Sequence, residues 1–370
     1  MNPKNVPFFN YRFLFGSGEA EFLEVVTDVG RRGAYILQRD LTDFEAHLAG
    51  FLGAHHALGV GNATDGLMLA LRAAGIVPGD EVILSSHTMI ATAAAVHFAG
   101  AVPVPVECGP GHLIDPRAVE VAVTTRTRAI MPTQLNGRTC NMDALQAVAD
   151  KHGLLIIEDA AQGLGSKFKG RCAGTFGIAG AISFYPAKVL GCLGDGGAVV
   201  TNDEAVYERI FQLRDHGRNR EGEIVSWGMN SRLDNLQAAM LDMQLKKYDQ
   251  VMARRRQIAA MYAARLKDVA EVVLPPAPDS DPEHFDIYQN YEIEAERRDE
   301  LKQYLKDRGV GTLIQWGGTA VHQMKALGFT QHLPYTNWLF TRLLMLPMNM
   351  SLSDEDVHYV CDHVRAFYGD

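Results

Sequence analysis

Lys188 stands in the run Ser183-Phe-Tyr-Pro-Ala-Lys188 and is followed by Gly191-Cys-Leu-Gly-Asp-Gly-Gly197. A lysine on a short turn, walled by aromatics and trailed by glycines, is poorly placed to be an ordinary solvated charge. Upstream, Ile156-Ile-Glu-Asp-Ala-Ala-Gln162 is an apolar run that ends in carboxylates. Together they supply what a pyridoxal phosphate site needs, an amine for the aldehyde and a carboxylate for the ring nitrogen. Asp159, at the end of an apolar strand, is partly desolvated and needs a cationic partner. A protonated pyridine ring would serve, and so would an arginine in a structural ion pair. Asn62-Ala-Thr-Asp-Gly66 follows a strand and opens a helical run, where free backbone N–H groups and the positive dipole end suit a phosphate. Taken alone it is better read as N-capping by Thr64 or Asn62, and it gains weight only beside the other two segments.

These residues must be held by a framework, and the spacing shows one. Short β-type runs at His56–Val60, Glu81–Ser85, 102–107, 129–134, 154–158, 181–184 and 198–201 alternate with helical stretches. Asp115-Pro116 offers a cap with proline at the first helical position, and the run from Asn141 ends at Gly153. Such alternation predicts an α/β fold with a mostly parallel seven-stranded sheet covered on both faces. Ligands then bind at the carboxyl ends of the strands, where Asn62, His87, Asp159 and Lys188 fall. After residue 232 a helical pattern of some 35 residues predicts a connecting helix. Residues 278–283 read as a loop and 287–293 as a strand. A last helix starts at Ser353 with Asp356 three residues on and buries Val357, Val360, Cys361 and Val364. The expected division is a large cofactor-binding domain over 1–250, with its N-terminal segment, and a smaller α+β domain over 251–370.

Composition narrows the function classes. With 370 residues and 47% hydrophobic content, a large core is expected. A net charge of -9 argues against nucleic-acid binding. The basic run Arg254-Arg-Arg256 is expected to be a solvated helix face. The start Met1-Asn-Pro-Lys-Asn is unlike a signal peptide, and no apolar run is long enough to span a bilayer, so a cytoplasmic location is expected. Five scattered cysteines form neither a disulfide framework nor a zinc pattern. His55, His56, His87 and His97 lack ligand spacing on one helix face and read as ordinary core or surface histidines, so no metal is expected.

The chain resembles the DegT/StrS family of pyridoxal phosphate sugar aminotransferases. The resemblance rests on Gly79-Asp-Glu-Val82, Glu158-Asp-Ala-Ala-Gln162, Gly174-Thr-Phe-Gly177, Ser183-Phe184, Lys188, Gly194-Asp-Gly-Gly197 and Gly228-Met-Asn-Ser-Arg-Leu233 with Gln237-Ala-Ala239. It implies the aspartate aminotransferase type I fold and pyridoxal 5'-phosphate as cofactor. It also implies that Lys188 forms the Schiff base, Asp159 pairs with the pyridine nitrogen, and Gln162 lies near the ring hydroxyl. Ser183 and the backbone at Ala63-Thr64 would hold the phosphate, with Asn230 reaching it from the partner of a homodimer. The segment from His216 to Trp227 would help cover the partner's substrate site. Where the family commonly has a ring-stacking aromatic, this chain has Met89. Gln134-Leu-Asn-Gly137 and Ala63 depart from the family pattern as well.

The reaction so implied is transfer of an amino group from L-glutamate, released as 2-oxoglutarate, to a nucleotide-linked 3-keto or 4-keto deoxysugar. Tyr35, Tyr185, Arg220, Trp316 and His322 are the candidate substrate contacts. A cyclitol-ketone aminotransferase and a non-catalytic cofactor-binding regulator are the alternatives. Lys188 argues against the family's dehydratases, which carry histidine there.

Overall fold

The computed structural model describes residues 4–369, so the reading of the first residues lies in part outside it. Seven strands form the main sheet: β1 His56–Val60, β2 Glu81–Ser85, β3 Val102–Val106, β4 Thr127–Met131, β5 Leu155–Asp159, β6 Ala179–Ser183 and β7 Gly197–Thr201. Their spatial order is β1-β7-β6-β5-β4-β2-β3. Neighbours from β6 through β5, β4 and β2 to β3 run parallel, while β7 is antiparallel to both β1 and β6. The fold is the expected α/β type. Nearly every residue of β2, β5 and β7 is buried, as strands covered on both faces require.

Helices begin and end where the caps demand. Helix α1, Ala63–Ala73, starts behind Asn62, whose side chain accepts from the Asp65 N–H. Helix α2 is Ile90–Phe98. Helix α3, Met142–His152, is capped by Asn141 and stops at Gly153, which takes the left-handed φ of 65°. The predicted connecting helix is instead two, Asn235–Leu245 and α4 Tyr248–Leu266. The break falls at Lys246-Lys247, where Lys247 leaves helical geometry and pairs with Glu21, and Tyr248 donates its hydroxyl to Leu164 O at 2.8 Å. Arg254-Arg-Arg256 is not a solvated face. Arg255 is buried and donates to the carbonyls of Tyr288, Gln289 and Met348 at 2.7–3.0 Å, tying α4 to the C-terminal segments.

A second sheet of β8 Val272–Val273, β9 Tyr291–Ala295 and β10 Leu343–Leu346 is antiparallel throughout. The strand expected over 287–293 begins later, because Tyr288 takes a left-handed φ of 50° and interrupts the extended run. Helix α5, Asp354–Tyr368, has the expected capping box of Ser353 and Asp356 and buries Val357, Val360, Cys361 and Val364. Val6 packs into this second core and bridges Val310. No helix among the described residues is long and apolar enough to cross a membrane, and all five cysteines are buried and unpaired.

Candidate active site

A cleft of about 690 Å³ opens at the carboxyl ends of β2, β5 and β6. Lys188 and Asp159 both line it, with Ser183, Gln162 and Met89 around them and Ala63-Thr64 at the first turn of α1. The lysine loop is fixed from both sides by one amide: Gln289 Oε1 accepts from Val189 N at 3.0 Å, and Gln289 Nε2 donates to Ala187 O at 3.0 Å. Burial lowers the Lys188 amine to about 8, against the opposing pull of the Asp159 charge. The amine is therefore within reach of its neutral, nucleophilic form near physiological pH.

Asp159 ends β5. Its Oδ2 accepts from Thr92 Oγ1 at 2.6 Å and its Oδ1 from Ala161 N at 3.1 Å. Thr88 extends this hydroxyl chain, 2.7 Å from Thr92 and 2.8 Å from Thr133. Burial still holds the Asp159 carboxyl above the usual range, so the anion gains from a cation placed against it. Glu158, facing the other way, accepts from Gln134 Nε2 and from the N–H groups of Gly174, Phe176 and Gly177 at 2.5–2.9 Å. Two adjacent carboxylates thus have different jobs, one clamping the Gly174–Gly177 loop and one facing the cleft.

The Asn62 cap keeps the first turn of α1 open toward the cleft, while Ser231 Oγ donates to Asp65 Oδ2 at 2.7 Å and steadies it. Gly197 lets this turn approach β7: a Cβ there would lie 2.6 Å from Asn62 C and 2.8 Å from Ala63 N. A helix N-terminus, a half-buried lysine and a buried carboxylate in one cleft fit pyridoxal phosphate, whose phosphate, aldehyde and ring nitrogen need those three groups.

The model of the DegT/DnrJ/EryC1/StrS aminotransferase family matches residues 17–365. The chain belongs to that family. It is an aminotransferase. The chain is 41% identical over 368 residues, 98% of its length and 96% of the relative's, to a dTDP-3-amino-3,4,6-trideoxy-alpha-D-glucose transaminase of Streptomyces venezuelae. Among solved structures it is similar to S. venezuelae DesV in complex with a ketimine intermediate, with a TM-score of 0.95, 40% identity and 99% of each chain covered. It is also similar to Bacillus subtilis NtdA with bound cofactor PMP, with a TM-score of 0.91, 27% identity, and coverage of 100% of this chain and 87% of the other. A relative that holds the amine form of the cofactor ties this architecture to pyridoxal phosphate chemistry.

Within this aminotransferase fold the expected residues divide into two groups. Ala63, Thr64, Met89, Asp159, Gln162, Ser183, Lys188, Tyr185 and Trp316 all line the cleft. Tyr35, Arg220, His322 and Asn230 do not. Arg220 lies over the Phe211 ring and pairs with Glu208 at the surface. His322 is buried behind the wall, with Nδ1 2.6 Å from Ser86 Oγ and Nε2 2.9 Å from Asn337 Oδ1. Tyr35 and Asn230 are exposed, the latter bridged to Asp215. Three residues that spacing did not reveal also shape the site: Thr92 beneath Asp159, Gln289 behind Lys188, and Asn136, whose N–H donates to Gln162 Oε1 at 2.8 Å. Thr92 had a readable signal, a hydroxyl at the start of a helix near the carboxyl ends. Gln289, distant in sequence, had none.

Proposed function

We propose that this aminotransferase uses pyridoxal 5'-phosphate, takes its amino group from L-glutamate, and delivers it to a ketone at C3 or C4 of a nucleotide-linked deoxysugar in amino-sugar biosynthesis. The observation that carries the chemistry is the half-buried Lys188, lowered to about 8, in one cleft with the buried Asp159. When bound, the cofactor supplies an aldehyde carbon that takes up amines and a ring that draws charge from the carbon losing its proton. Lys188 would hold that aldehyde at rest. Freed by the donor, its neutral amine would take the proton from the donor's α-carbon and return one to the cofactor. Asp159 would keep the ring nitrogen protonated. With Gln162 Oε1 held by Asn136 N, its amide N–H₂ would be the donor to the ring oxygen. Ser183 and the first turn of α1 would take the phosphate, and Met89 would pack on the ring face through its thioether.

The substrate class is supported by the relative's dTDP-linked amino sugar and by Tyr185 and Trp316, which give the cleft an aromatic rim suited to a sugar ring. A cytoplasmic homodimer is part of the reading: Asn230, exposed and outside its own cleft, is free to serve a partner's phosphate. The test is a panel of dTDP- and UDP-linked 3-keto and 4-keto sugars with glutamate as donor, read by mass spectrometry. Amination of at least one is expected. Amination of cyclitol ketones alone would overturn the sugar assignment.

A further inference from the structure

Behind the cleft wall, three elements bring together a set of ligand atoms that spacing in the sequence could not join. His87 lies on the loop after β2, two residues before Met89, and His112 on the turn after β3. Glu292 is on β9, which alternates Tyr291, Ile293 and Ala295 into the second core with Glu292 and Glu294 toward the other side. Glu292 Oε2 is 3.6 Å from His87 Nε2 and 2.9 Å from His112 Nδ1. The three ligand atoms all lie within 4.8 Å of one another. A tetrahedral ion with bonds of about 2.0–2.1 Å separates its ligand atoms by about 3.3 Å, so small side-chain shifts would close the shell.

The far nitrogens are arranged as they are in metal-bound imidazoles. His87 Nδ1 faces the His112 carbonyl at 3.1 Å, and His112 Nε2 faces a Glu294 carboxylate oxygen at 3.3 Å. With an ion bound, each acceptor would take an N–H on that side and leave the other nitrogen's lone pair for the ion, the His112 proton now shared with Glu292 being displaced. The surrounding amides are fixed by the same logic. Asn136 Nδ2 must donate to the Glu292 carboxylate at 2.9 Å, so Asn136 Oδ1 accepts from Gln315 Nε2 at 2.7 Å. Gln315 Oε1 is thereby turned to His87 Nε2, at 3.2 Å. His87 thus has acceptors at both nitrogens. In addition, Glu292 Oε1 is buried with no hydrogen-bond partner among the described residues. A cavity of about 80 Å³ adjoins the cluster, lined in part by His112, Asn136, Glu292 and Glu294. The unpartnered carboxylate oxygen leaves Glu292 with lone pairs available to a cation.

We propose that His87 Nε2, His112 Nδ1 and Glu292 bind a borderline divalent metal ion of the Zn²⁺ class, with Gln315 Oε1 or a water from the cavity in the fourth position. Two imidazoles and one carboxylate are a zinc-type donor set, while the hard ions Ca²⁺ and Mg²⁺ prefer all-oxygen shells. The ion would be structural, pinning β9 to the two loops that follow β2 and β3, and it is independent of the transamination reading.

The test is the metal content of the holoprotein after dialysis, by plasma mass spectrometry, and uptake of Zn²⁺ or Co²⁺ by metal-stripped protein. About one ion per chain is expected, with a Co²⁺ visible band of tetrahedral intensity. His112→Ala and Glu292→Gln should each weaken binding about 10- to 100-fold, while His47→Ala at the surface should not. Two results would overturn the proposal: wild-type protein that takes up neither ion at micromolar concentration, leaving the cluster a self-contained imidazolium–carboxylate network, or uptake that persists undiminished in the variants. The wild-type result decides even where a variant fails to fold.

Discussion

At Lys188 two effects oppose each other. Burial disfavours the charged amine, Asp159 favours it, and burial wins, so the group titrates near 8 instead of 10.5. Between those values the unfolded chain carries more protons on this lysine than the folded chain, so the contribution of Lys188 to stability rises with pH from below 8 to 10.5. Below about 8 the folded apoprotein bears the full penalty of the buried charge. The kinetic counterpart is direct, because only the neutral amine attacks an aldehyde. Cofactor uptake by apoprotein, followed by stopped-flow absorbance, is expected to speed up with pH around a midpoint near 8. A midpoint near 10.5 would show that the fold does not tune this lysine.

At the scale of elements, the cofactor end of the cleft depends on how closely α1 approaches β7. Gly197→Ala places a methyl against the backbone of Asn62 and Ala63. Such overpacking costs about 1–3 kcal/mol, which should appear as cofactor affinity lowered about 5- to 150-fold and a lower Tm. Equilibrium dialysis and calorimetry on the apo and holo forms check this. The elements themselves were largely readable. β1 and β2 run over the residues expected, because a buried strand needs a short apolar run, whichever way its neighbours run, and the chain places turn residues around it. Asp115, Asn141 and Ser353 cap as expected because capping is local chemistry. What failed to show was non-local. The break at Lys246-Lys247 is held by Glu21 and Leu164, and Arg255 is buried only because carbonyls at 288, 289 and 348 await it. His112 and Glu292, 180 residues apart, meet only through the pairing of two sheets with one cleft wall. Within the site, Lys188, Asp159 and Gln162 were legible as a motif, whereas the supports Thr92, Gln289 and Asn136 come from other segments.

For the whole molecule, the reading requires two copies. Asn230 lies outside its own cleft, so in the proposed dimer Lys188→Ala and Asn230→Asp would damage different parts of a shared site. Each homodimer should be inactive or severely impaired. Mixed and re-equilibrated, the two should recover about a quarter of wild-type activity, because half the dimers then hold one intact site. No recovery with confirmed subunit exchange would place Asn230 outside catalysis. The central claim, that Lys188 moves the proton in an amino-group transfer, is tested most directly by a single turnover of holoprotein with α-deuterated glutamate and no keto acceptor. The account predicts about one equivalent of 2-oxoglutarate per chain with loss of the cofactor's visible band, and a rate at least about 100-fold lower in Lys188→Ala. Wild-type protein that forms no 2-oxoglutarate, or Lys188→Ala protein that forms it as fast, would contradict it.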